Sequence, residues 1–216
     1  MLNTLAQSRA FWLILMLTIL GEFLVPAFLS RRDPDYRPGM MAVSVLGRTG
    51  GPAARIYNAW LVWLGLFLLC AASVYYTIAA PVSWPLAVWQ SVSIGLFALG
   101  AGVLAGLFPT GLERDLSDRR ALIHGIASAL GFFALLGFPL SGALLAWIEG
   151  RAAVAAFRFL AFVLALTCFM LFILSDKARF HHTVIVREGL WEQLCLAAMY
   201  LPFFADSVQF FKQTGI

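Results

Sequence analysis

Between Arg55 and Glu113 the chain carries no Asp, Glu, Lys or Arg. A water-soluble globule of this size cannot hide so long an uncharged, apolar stretch, because much of its surface must stay wet. The stretch is long enough for two crossings of a bilayer, each needing roughly 20 apolar residues to span about 30 Å of hydrocarbon. Pro81 and Pro85 divide it, since each lacks a backbone donor and disfavours helix at the residue before it. The rest of the chain has the same character: 62% of its 216 residues are hydrophobic and 12% are charged, against about 25% charged in ordinary soluble domains. With a mean hydropathy of +0.87, a cytosolic globular enzyme and a disordered chain are both excluded, and an integral membrane protein is implied.

Six segments are predicted to cross the membrane, at about 11–29, 52–79, 85–107, 120–148, 152–175 and 189–211. None alternates polar and apolar residues as a transmembrane strand does. A segment apolar on all sides satisfies its backbone in lipid only as a helix. The expected fold is therefore an all-α, polytopic bundle of six transmembrane helices, with residues 1–216 forming one domain. The first apolar run is too long for the h-region of a signal peptide and is closed by no A-x-A-like site, so it reads as an uncleaved helix. Pro139 predicts a kink in the fourth helix, and Glu149-Gly150-Arg151 predicts a tight turn into the fifth.

Small residues four apart suggest close helix contacts: Ala98, Gly102 and Gly106 on the third helix, and Gly125 with Ala129 and Gly137 with Ser141 on the fourth. Cys70, Cys168 and Cys195 lie inside apolar runs and read as small hydrophobes rather than as a disulfide framework or metal clamp. The net charge of +4 is carried mostly by loops, which points to anionic lipid headgroups and away from nucleic acid. Membrane lipids are the expected partners, together with a second copy of the chain or another membrane protein. With six crossings both termini share one side, where Arg9, Arg151 and Lys212 lie; Arg31, Arg32, Arg37, Arg48, Arg55, Arg114, Arg119, Arg120, Lys177, Arg179 and Arg187 fall on the other. The positive-inside rule then puts the termini outside.

Polar groups at membrane depth are costly and call for a reason. At 1.5 Å per residue, Glu22 lies about 16 Å and Arg158 about 10 Å in from the terminal side. Asp206 and Gln90 are also within about 10 Å of that side. An Arg158–Asp206 or Arg158–Glu22 pair would lock helices together; the alternative is a polar pocket or ion path. A second group gathers at the opposite side: Ser44 in the first loop, Asn58 early in the second helix, Asp118 and His124 around the start of the fourth, and His181 and His182 in the fifth loop. Ser44, His124 and Asp118 invite a hydrolase reading, and the histidines a zinc reading, although no H-E-x-x-H spacing exists. Asp118 or Ser117 is the expected N-cap of the fourth helix. No lysine lies inside a predicted helix, which excludes a retinal Schiff base. Only one histidine is buried, which excludes bis-histidine haem, and no P-loop is present. Which cofactor, if any, the chain uses is left unknown.

Ser44-Val45-Leu46-Gly47, Tyr57-Asn58, Phe108-Pro109, His124-Gly125 and Gly189-Leu190-Trp191-Glu192 follow one another in this order. On six helices, that order resembles the prokaryotic membrane proteins grouped as domain-of-unknown-function family 998, over about residues 10–211. The resemblance implies a six-helix bundle in a plasma (inner) membrane, with Ser44 and His124 at the positions of the family's Ser and His, and termini inside, opposite to the charge count. It implies no activity. Three functions are compatible with the residues: a non-catalytic protein binding lipid or a membrane partner, which predicts an apolar cleft open sideways to lipid; an intramembrane hydrolase of a lipid or amide using Ser44, Asp118 and His124; and a transporter or channel with a polar path through Glu22, Arg158 and Asp206.

Overall fold

The structure, a computed structural model, describes residues 2–111 and 118–213. Among these, six helices are long and apolar enough to cross a membrane: α1 (Arg9–Arg32), α2 (Ala54–Ala79), α3 (Trp84–Leu107), α4 (Arg119–Ile148), α5 (Ala152–Ser175) and α6 (Glu188–Gln213). No strand occurs among the described residues. The chain is a multi-pass, all-α membrane protein. Large apolar side chains point outward on every helix, Leu24, Trp63, Leu96, Phe133, Leu160 and Leu201 among them, as expected where the solvent is hydrocarbon.

The helix boundaries have local causes. Ser8 caps α1, its Oγ accepting from Phe11 N, and Asp118 caps α4, accepting from Arg120 N at 3.0 Å. Ser117, the other candidate cap, lies outside the described residues, as does Arg114. The turn from α4 to α5 is a Schellman motif: Gly150 has φ +73, Gly150 N donates to Trp147 O, and Arg151 N donates to Ala146 O at 2.8 Å. Pro139 has no N–H for the carbonyl of Leu135, and α4 breaks one residue later, at Leu136. The last turn of α6 takes in Lys212, slightly beyond the predicted end.

Each helix packs on its neighbours in sequence, and α6 closes against α1, making a ring of six. The start of α1, the end of α6 and the α2–α3 and α4–α5 turns lie at what we call the terminal end. The long α1–α2 connection, the end of α3 and the starts of α4 and α6 lie at the opposite end. The middle of the ring is filled. Trp12, Tyr75, Phe97, Phe138, Tyr200 and Phe203 are buried there, with Phe138 stacked on Phe203 at 3.7 Å between ring centroids and Tyr75 edge-on to both.

Small-residue packing departs in part from the sequence pattern. Ala98–Leu104 is wound as a π-helix, whose wider turn lets α3 offer small residues to two neighbours. A Cβ on Gly102 would lie 2.6 Å from Gly65 Cα, and one on Gly106 would lie 2.7 Å from Asn58 O, so both press on α2. Gly100 presses on Ala127 of α4. On α4, however, Gly125 and Ala129 are exposed and Gly125 has open space around it. Gly131, on the inner face, makes the close approach to α3 instead.

Candidate functional site

At the opposite end, the α1–α2 connection is pinned down by its own polar atoms. Arg48 is buried and forms a two-pronged ion pair with Asp33, with Nη2–Oδ1 at 2.8 Å, and also reaches the exposed Asp35. The guanidinium holds the Asp33 carboxyl below the ordinary carboxylate range. Burial pushes the Tyr36 phenol up, with the charge of Glu192 adding to it. Asn58 Nδ2 donates to Gly47 O at 2.9 Å. Glu192 accepts from Val43 N at 2.6 Å, and Leu190 N donates to Gly39 O. The short motifs of the first loop and of the starts of α2 and α6 therefore meet in space and fasten one another.

Ser44 is half-buried in the 3₁₀ turn Val43–Gly47. His124 is buried, and its Nδ1–H donates toward Ala105 O and Phe108 O, at 3.2 and 3.1 Å. These are carbonyls at the end of α3, left open by the helix. Asp118 is exposed and occupied as an N-cap. Among the described residues no hydrogen bond joins Ser44, Asp118 and His124 to one another. His181 and His182 are exposed, and no group of three or more metal-ligating side chains occurs among the described residues.

In the middle of the bundle, Glu22 is buried and accepts from Trp60 Nε1 at 3.0 Å. Gly21 gives the Trp60 ring its room. Tyr200 Oη is buried without a hydrogen-bond partner. Trp60 was invisible to the sequence reading because nothing in spacing marks an indole on one helix as the donor to a carboxylate on another.

At the terminal end, Arg158 takes Asp206 as its partner rather than Glu22. The second Asp206 oxygen accepts from Tyr75 Oη at 3.0 Å. The guanidinium lies over Phe138, 5.9 Å from the ring centroid, and against the backbone of Gly142, where a Cβ would come within 3.1 Å of its Cζ. Arg158 Nη1 is buried and has no acceptor. Gln90 on α3 is 3% exposed. These groups border a cavity of about 80 Å³ whose outer edge carries Glu149 and Arg151, themselves an ion pair. Tyr75 is the member of this cluster that the sequence reading missed.

A second, larger cleft of about 400 Å³ opens on the outside of the bundle between α3, α4 and α5. Trp89, Leu96, Phe133, Leu140, Phe162 and Leu166 line it, and its walls are almost wholly apolar. By helix rise it sits at mid-membrane depth, where acyl chains would surround it.

Against known proteins, the family model described as "Protein of unknown function (DUF998)" matches residues 11–205. No curated protein and no solved structure matches the chain.

Proposed function

The chain belongs to the DUF998 family of proteins of unknown function, and for this six-span membrane protein we propose a binding role: it holds a lipid-like amphiphile, whose acyl chain lies in the cleft between α3, α4 and α5. A cell-membrane location belongs to the same proposal, on the strength of the six apolar spans of this chain. The cleft carries the reading. It is apolar, faces the hydrocarbon, and is large enough for several methylene groups. Its walls come from three helices, two of which, α3 and α4, are held together by the close contacts of Gly100 with Ala127 and Gly131 with Ala101, so its shape is held by the scaffold rather than by a loop.

The other two readings have less support. Ser44, Asp118 and His124 have main-chain partners or none, so a hydrolase built on them would need a different arrangement of those groups. A through-path from Arg158 and Asp206 to the opposite end would have to cross the stacked Phe138 and Phe203 rings.

Leu140→Trp tests the binding role by filling the cleft from its half-buried wall. The full chain is purified in a mild detergent and copurified lipid is counted by native mass spectrometry. The wild type is expected to retain lipid through detergent exchange, and the variant to lose most of it with its helical circular dichroism unchanged. Equal retention by Leu140→Trp overturns the reading.

A further inference from the structure

A tail in the outer cleft cannot by itself select a ligand. Leaving the bilayer for the cleft exchanges one hydrocarbon surrounding for another, so little hydrophobic free energy is gained. Selection has to come from polar contacts, and in hydrocarbon those are few and costly to leave unmade. Two buried polar groups at the terminal end lack partners. One is Arg158 Nη1, on a residue 8% exposed. The other is the Gln90 amide, which has no hydrogen-bond partner among the described residues and lines the small cavity.

We infer that this cavity is a binding site for the uncharged oxygen-bearing head of an amphiphile, an ester carbonyl or hydroxyl of glyceride or alcohol type. The charge of the site decides between this and an anion. Inside, Arg158 is neutralised by Asp206; at the rim, Arg151 is neutralised by Glu149. Asp206 already has both oxygens occupied, by Arg158 and Tyr75. No positive charge is left over to balance a carboxylate or phosphate, and an unbalanced buried anion is penalised heavily. Hydrogen-bond donors, by contrast, are available: the Gln90 amide offers N–H groups at the cavity wall, beside a guanidinium already paired with Asp206. A carbonyl or hydroxyl accepts these without adding charge. The volume of about 80 Å³ admits a compact polar head of a few heavy atoms. Ile78, Val82 and Leu145, also on its walls, suit the carbon stem of such a head.

This inference rests on the lipid-binding reading and names the head that it selects. The test titrates the full chain, in maltoside detergent, with monoolein, oleate and inorganic phosphate in parallel, following the thermal unfolding midpoint and native mass spectra. Gln90→Leu removes the amide and leaves the ion pair intact. Val82→Trp blocks the mouth from the α2–α3 turn, and it carries the test should Gln90→Leu fail to fold. Monoolein is expected to bind saturably to the wild type, with affinity reduced at least about tenfold in both variants, the loss of one well-made hydrogen bond or of access. Oleate and phosphate are expected to give no response sensitive to either variant. Unchanged monoolein binding in Gln90→Leu and Val82→Trp overturns the inference, as does phosphate or oleate binding that Gln90→Leu abolishes. If Leu140→Trp abolishes monoolein binding while the two cavity variants do not, the cleft reading stands and this one falls. The reverse pattern upholds this site and removes the cleft.

Discussion

Replacing Asp206 with Asn should be among the most damaging single substitutions in the bundle. In the native structure Asp206 joins three helices: one oxygen accepts from Arg158 on α5, the other from Tyr75 on α2, and its own backbone belongs to α6. Arg158 and Asp206 side chains are 9% and 10% exposed, so water does little to screen or replace the pair. Asparagine keeps one acceptor but removes the charge, leaving a guanidinium at membrane depth without a counter-ion. Arg158 already has one unpartnered nitrogen, so there is no second acceptor to take over. Losing one partner of a buried pair costs about 3–5 kcal/mol, and Asp206→Asn is expected in that range. The hydrogen bond from Tyr75 contributes less, and Tyr75→Phe should cost about 1–2 kcal/mol. The double substitution Arg158→Met with Asp206→Leu removes both charges at similar volume and should fall within about 1–2 kcal/mol of wild type, because the desolvation cost goes with the attraction. Equilibrium unfolding of the purified chain in mixed micelles, followed by helical circular dichroism, measures all three. The reasoning fails if Asp206→Asn unfolds with the wild type, or if the double variant is as unstable as the single one, since the damage would then not come from an unpaired charge.

Two further outcomes follow from the packing and from the loop ion pair. Gly102→Val should separate α3 from α2 and cost about 1–3 kcal/mol or more by overpacking, whereas Gly125→Ala, on the exposed face of the neighbouring α4, should be neutral or stabilise by up to about 1 kcal/mol through helix propensity; the same unfolding assay separates them, and equal effects would contradict the assigned faces. Asp33→Asn should cost about 1–3 kcal/mol at neutral pH by removing the buried counter-charge of Arg48 and one of the two acceptor oxygens that Asp33 gives it. Because pairing lowers the folded carboxyl's pKa, its stabilisation is complete above the unfolded carboxylate pKa and is lost as pH falls through the lower folded value. A pH series of unfolding midpoints should therefore show an acid-side decline in the wild type that is reduced in Asp33→Asn.

The number of helices, their limits and their surroundings were legible in the chain itself. Charge-free runs of bilayer length admit one backbone solution, and Pro81, Pro85 and Gly150 mark turns by constraints that act within a residue or two. The cost of burying Arg158 and Asp206 likewise marked them as needing partners before any fold was known. Which partner each polar group has was decided only when the ring closed. Hydropathy says how deep a side chain lies but not which way it faces or what stands opposite, so Arg158 with Asp206, Glu22 with Trp60 and His124 with the carbonyls ending α3 all depend on helix rotation. That rotation is set by the close contacts of Gly65, Gly100, Gly102 and Gly131, where the bulge in α3 shifted the expected face. The two cavities are likewise products of assembly: each is the space left where three or more helices meet, and no single segment carries its shape.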